Sequence, residues 1–350
     1  MMMQEKMNSW QRTMAALSHQ EADRVPIFLT LTLHGAKELD LSIQDYFAKP
    51  ANVVEGQIRL QKKFGHDCLY SFYYAAAELI AWGGEAIFYD DGPPNAGPPV
   101  FKNFAQVRSA TAPRVADSPL LQDILETIRQ LKVRAKEEIP ILGVAISPFS
   151  LPPMQLGFDQ YLNLIFEERE LFWHLMRLNI AFTIAWANAQ LEAGATAIAY
   201  FDPVASPSLI TPKIYQETGR DIARETIAGI KGATAFHFAS GRCLDILDDI
   251  IASGTAAVAV SCVEDIETIK EKCRGKITVI GNLNGIEMCT WNRETAEEKV
   301  RELIAKAAAG GGFIVADNHG EIPFQVSDDV LFAIMETVKK WGRYPILREQ

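Results

Sequence analysis

Cysteine is scarce and scattered. Cys68, Cys243, Cys262, Cys273 and Cys289 include no Cys-x-x-Cys pair, which argues against a disulfide framework. Basic charge is also in deficit. The 34 Lys and Arg stand against 44 Asp and Glu, for a formal net charge of −10 and a pI near 5.2. Phosphate binding needs a basic surface, so a nucleic-acid partner is not expected. Long apolar runs are missing too: none reaches the roughly 18–20 residues of a membrane span. The opening MMMQEKMNSWQRTMAALSHQ has no signal-peptide apolar core. The expectation is a cytoplasmic protein with neither membrane nor nucleic acid as partner.

What is abundant is core-forming material, with 48% hydrophobic against 22% charged residues in 350. Eight short runs, mostly apolar and β-branched, alternate with helical patterns. They are Arg24–Leu31, Asp67–Tyr74, Ile139–Ile146, Thr196–Phe201, Thr234–Ala239, Ala256–Cys262, Ile277–Asn282 and Phe313–Asp317. Such runs suit strands buried on both faces, and eight βα units point to an α/β fold, a (β/α)8 TIM barrel. A doubly wound sheet is the runner-up. The expected architecture is one domain over residues 1–350. It has an N-terminal helical extension (Ser9–Leu17) and an insertion after the second strand, from residue 75 to about 113. Within the insertion, Trp82–Tyr89 reads as an excursion strand and Asp90–Pro99 as a rigid, turn-rich loop. Further helices are expected at Asn52–Phe64, Leu120–Glu138, Glu168–Ala193, Ile214–Lys231, Leu244–Ala252, Thr295–Ala308 and Val326–Trp341.

A barrel builds its site from residues ending several different strands at the carboxyl edge. Here those are His34, Tyr73 and Tyr74, Ser147, Asp202, His237, Cys262, Asn282 with Asn284, and Asp317 through Glu321. His237 closes an apolar strand just before the Ser240-Gly241 turn. His237 and His319 can meet across the mouth, where a nearby carboxylate (Glu321, Asp202 or Asp317) or Cys262 could complete a metal site. Alternatively, both histidines hydrogen-bond substrate or carboxylates with no metal. Asp202, before Pro203, could instead cap its own turn. His66 falls at the opposite edge, His19 and His174 read as solvated, and the other four cysteines read as packing residues.

At these residues the chain resembles the uroporphyrinogen decarboxylase superfamily over almost its whole length. TMAALSHQEADRVPIF is similar to that superfamily's start, YFDPVASPSLITP to its turn after strand four, VIGNLNG to its strand-seven motif, and DNHGEIPFQVSDDV to its segment after strand eight. The resemblance independently implies the (β/α)8 barrel. True decarboxylases carry an Arg-Gln-Ala-Gly-Arg-Tyr stretch after strand one, and here Leu31–Leu39 reads LTLHGAKEL. Their strand-two aspartate falls at or near Tyr73 or Tyr74. Those departures imply the superfamily's other branch, the corrinoid-dependent methyltransferases, which HGAKEL and FDPVAS also resemble. By resemblance, the chain moves a methyl group between a corrinoid (cobalamin) protein and a small thiol, folate or methylated donor. The alternative is a decarboxylase-like lyase acting on a tetrapyrrole or small acid. Zinc in thiol-methylating members is held by a His-x-Cys after strand five and a cysteine after strand eight. Here those positions are His237, Ala239 and His319, leaving Cys262 or a carboxylate as a further ligand. The implied catalytic set is His237, His319, Asp202 and Glu321. His34, Tyr73, Tyr74, Asn282 and Asn284 would line the cofactor side.

Overall fold

The apolar runs become strands wherever both faces find cover. The computed structural model describes residues 6–346, so residues 1–5 and 347–350 of the expected domain lie outside the described residues. Among the described residues ten strands occur in order: β1 (Ile27–Phe28), β2 (Leu69–Tyr70), β3 (Ala86–Ile87), β4 (Asn95–Ala96), β5 (Ile141–Ile146), β6 (Ala197–Phe201), β7 (Ala233–His237), β8 (Ala257–Ala259), β9 (Thr278–Leu283) and β10 (Phe313–Asp317). Eight of them form one sheet in the order β1-β10-β9-β8-β7-β6-β5-β2, every pairing parallel. The sheet curls until its edges meet, with the Asp67 N–H donating to the Ile27 carbonyl at 2.8 Å. The fold is α/β and TIM-barrel-like.

The first two strands are much shorter than the sequence suggests, and at the foot of β1 a side chain takes the place of the ladder. The Ile27 N–H donates to the Asp67 carboxylate at 2.9 Å rather than to a neighbouring strand, so its donor is satisfied outside the ladder. Asp67 also accepts Arg12 Nη1 at 2.6 Å, Arg24 Nη1 at 2.7 Å and Ser9 Oγ at 2.9 Å. Burial alone would raise this carboxyl, but the two guanidiniums overcome it and hold Asp67 below its ordinary value. Helix Ser9–Leu17, capped by Asn8, thereby brings Arg12 to the foot of the sheet.

Outside the sheet, β3 and β4 form an antiparallel hairpin. The excursion strand therefore shrinks to Ala86–Ile87, and its partner lies inside the stretch expected to be irregular. The expected helix Ile214–Lys231 is two, Pro212–Glu217 and Gly219–Gly229, because Thr218 leaves helical geometry at φ −140° and ψ −82°. A Cβ at Gly219 would stand 2.8 Å from the Tyr215 ring, so the bend packs tightly. Helix Arg169–Ala193 runs nearly as expected and buries Phe172, Phe182 and Trp186. Of the four cysteines read as packing residues, Cys68, Cys243 and Cys273 are buried, but Cys289 is exposed. His174 is half-buried rather than solvated, with Nε2 buried and unpartnered. No helix among the described residues is long and apolar enough to cross a membrane.

Candidate active site at the carboxyl ends of β7 and β10

β10 ends on Asp317, and the chain at once turns back over β1. One Asp317 oxygen takes the Thr30 hydroxyl, and the other accepts the His319 and Gly320 N–H groups, each at 2.9 Å. The Ile322 N–H reaches the Thr30 carbonyl at 3.0 Å, and Glu321 accepts from Thr32. The loop carrying His319, Gly320 and Glu321 is thus stitched to the end of the first strand. Burial, opposed by the backbone donors, raises Asp317 to about 6. Burial raises Glu321 further, to about 7, against the Thr32 hydrogen bond and with the Asp317 charge adding to the rise.

β7 delivers His237 to the same loop. Its Nδ1 accepts the Ala239 N–H at 2.9 Å, made reachable because Ala239 adopts the left-handed region at φ 53°. With Nδ1 an acceptor, the neutral ring carries its proton on Nε2. Burial, then the neighbouring His319, lowers His237 to about 4, so the ring is neutral at physiological pH. Gly320, at φ +84°, packs against the Nε2 edge, and a Cβ there would lie 3.1 Å from that nitrogen. His319 is half-buried, its pKa is lowered by burial, and its Nδ1 lies beside Gly285 of the loop after β9. His237, His319, Asp317 and Glu321 therefore belong to one constellation. No lysine or arginine salt bridge to Asp317 or Glu321 occurs among the described residues.

The other expected site residues go elsewhere. Asp202 turns away from the histidines and accepts Ser150 Oγ at 2.5 Å. Burial raises it to about 6, against hydrogen bonds from Ser147 and Ser150. It organises the turn after β5, with its other oxygen buried and unpartnered. Tyr73 and Tyr74 are buried in an aromatic cluster with Phe47, and the Tyr73 hydroxyl bonds Thr127 at 2.8 Å. His34 begins a helix, fully buried beside Phe324, with both ring nitrogens unpartnered; burial, then Lys37, lowers it to about 3. Cys262, Asn282 and Asn284 line a separate cleft of about 380 Å³ between the ends of β8 and β9. Asn282 donates to the Ser261 carbonyl, and Asn284 caps the turn at Ile286 and Glu287.

This distribution bears on zinc. Among the described residues no three His, Cys, Asp or Glu side chains gather in metal-binding range. His237 Nδ1 is occupied by a backbone donor, and Cys262 faces the separate cleft after β8. The expected His237, His319 and Cys262 set does not fit a zinc ion as arranged. Thr30 and Thr32, by contrast, hold the two carboxyls and were not singled out in the sequence. Their alternation with Leu29, Leu31 and Leu33 is the period-two signal that marks them.

Residues 8–341 match the uroporphyrinogen decarboxylase (URO-D) family. The chain belongs to that family. Its URO-D relatives include methylcobamide:CoM methyltransferase MtaA of Methanosarcina barkeri, 29% identical over 164 residues, which is 46% of this chain and 48% of that enzyme. They also include uroporphyrinogen decarboxylase of Nitrosomonas europaea, 24% identical over 230 residues, or 62% of this chain and 63% of that one. The chain thus matches about half the length of the methyltransferase and under two thirds of the decarboxylase. A solved methyltransferase from Methanosarcina mazei shares the URO-D fold at TM-score 0.84 and 18% identity, covering 96% of this chain and 99% of that one.

Proposed function

We propose that this chain is a corrinoid-dependent methyltransferase, passing a methyl group between a corrinoid carried by a partner protein and a small thiol, folate or methylated donor. The supporting observation is the constellation of His237, His319, Asp317 and Glu321, which brings an uncharged imidazole and two carboxyls of raised pKa together without a pairing cation. A tetrapyrrole bearing many carboxylates calls for guanidinium partners, which this constellation lacks. The barrel reading is likewise extended here: the helix before β1 serves as a foot, and residues 75–113 as an insertion facing the mouth.

When docked, the corrinoid supplies the cobalt that gives or takes the methyl group. The chain's own residues manage the proton. If an ether or amine loses its methyl, the leaving oxygen or nitrogen takes a proton from Glu321, whose raised pKa keeps much of it protonated near neutrality. His237 Nε2–H orients that leaving atom, held in place by the Ala239 N–H. If a thiol is the acceptor, Asp317 or Glu321 in ionised form accepts its proton. Exposed Leu209, Val263 and Ile286 lie on the loops after β6, β8 and β9, an apolar rim suited to a partner's docking face.

The test is methyl exchange between methylcobalamin and a panel of thiols, folates and methylated ethers or amines. At least one should turn over. His237→Ala and His319→Ala should each lower the rate by about 10²-fold or more with unchanged circular dichroism. Undiminished rates in both variants would retire the site. Carbon dioxide release from a tetrapyrrole, with no methyl exchange, would favour the lyase reading that the decarboxylase relatives represent.

A further inference from the structure

TIM-barrel interiors are normally filled by layers of Val, Ile and Leu. This one is not. On β6 and β7, Ile198, Tyr200, Thr234 and Phe236 are buried against the outer helices, and the alternate positions face inward. Those inward positions are Ala197, Ala199, Ala233 and Ala235, and all four stay half-buried although they sit in mid-sheet. Ala199 and Ala235 are direct partners in the ladder. Together with Ile280, Leu142 and Tyr70 they enclose a cavity of about 60 Å³ along the sheet's axis. Met14 and Leu17 of the N-terminal helix close its lower end, while Thr30, His237 and Asp317 form the upper one.

We infer that this lumen is a binding site for an unbranched alkyl chain carrying a small neutral polar head, the head seated at His237 and Thr30. The walls are apolar apart from threonine hydroxyls and that upper end. Both Asp317 oxygens are already engaged, by Thr30 and by two backbone donors. An anionic head would meet the Asp317 carboxyl and no cation, and an ammonium head would face the His237 Nε2–H, whereas a hydroxyl, thiol or ether oxygen can take that hydrogen. Since one water needs about 10–15 Å³ of such space, the lumen accommodates roughly four heavy atoms of chain. The cavity owes its existence to alanine: a valine or leucine at Ala199 or Ala235 would occupy it.

The test reads binding directly, so its outcome does not depend on whether the chain transfers methyl groups. The full-length protein is titrated calorimetrically with 1-alkanols from ethanol to 1-octanol. Affinity should rise about fourfold per methylene, then level off once the chain exceeds the lumen. Ala235→Leu should abolish the rise while keeping or raising thermal stability, as filling a void does; Ala199→Val provides the same reading should Ala235→Leu misfold. Three results would each overturn the inference: no dependence on chain length, a rise that never levels off, or a rise undiminished in the filled variants. The first would mean that water alone occupies the space, and the others that alkyl groups bind on the surface.

Discussion

Replacing Glu321 with Gln should make the protein slower and, in alkaline solution, more stable. The side chain keeps its shape and an oxygen for the Thr32 hydroxyl, but loses its titration. A general acid contributes about 10²–10⁴-fold, or about 3–5 kcal/mol of barrel-mouth catalysis, so turnover of an ether or amine donor should fall by that factor. In the wild type, that activity should decline as pH rises through about 7, where Glu321 loses its proton. The variant should lack this limb. Stability supplies a second readout. Glu321 rises from 4.5 to about 7 on folding, so the native state binds the proton more tightly than the unfolded chain. Its contribution is full below the unfolded pKa and disappears as pH climbs through the folded one. The rise corresponds to at most about 3 kcal/mol, the protein being less stable at high pH by that amount. Urea unfolding at mildly acidic and mildly alkaline pH measures it. Asp317, also raised, leaves a residual slope in both proteins, so the difference between them is the relevant quantity. Equal pH slopes for wild type and Glu321→Gln would show that Glu321 ionises normally, and the proton-donor assignment would fall.

Two further substitutions probe the supports of the site. Gly320→Ala places a methyl group about 3 Å from the His237 ring at a left-handed φ of +84°. It should cost about 1–2 kcal/mol in thermal unfolding and depress turnover; unchanged values in both assays would contradict the packing described. Asp67→Asn removes the buried charge that Arg12 and Arg24 share, although Arg12 keeps its pair with Asp23, and should lower stability by about 3–5 kcal/mol in urea. Because the folded Asp67 carboxyl titrates below its ordinary value, its stabilisation exists above the unfolded pKa and fades as the solution is acidified. The acid limb of the wild-type stability profile should therefore flatten in the variant, and an unaltered limb would count against this reading.

The sequence made the ends of β7 and β10 legible because each apolar run stops at a polar residue shortly before a glycine turn. His237, Asp317, His319 and Glu321 stand at or just past that punctuation, and they draw notice because several strands end in polar residues on the same edge. Tyr73 and Tyr74 defeat it. Phe-Tyr-Tyr reads the same whether the rings line a mouth or pack beneath a helix, and here β2 ends at Tyr70, before them, and both tyrosine rings pack against Phe47. Asp202 was placed on the right edge but not in the right direction, since its partner Ser150 lies 52 positions earlier. The break at Thr218 depends on tight packing between Gly219 and the Tyr215 ring, and helical periodicity runs straight through it. The alanines of β6 and β7 satisfy the expectation of a buried strand and conceal the volume they leave unfilled.

The bond from Ala239 to His237 gives the imidazole a fixed polarity. Its lone pair is spent on the main chain, so while uncharged the ring can only offer hydrogen and has nothing with which to pull it away. The histidine at this mouth thus gives a hydrogen bond and keeps its proton, and in the proposed chemistry any base comes from the carboxyls tied to the threonines of β1's continuation. An alanine forced into a conformation more natural to glycine in effect decides which partner gives and which receives.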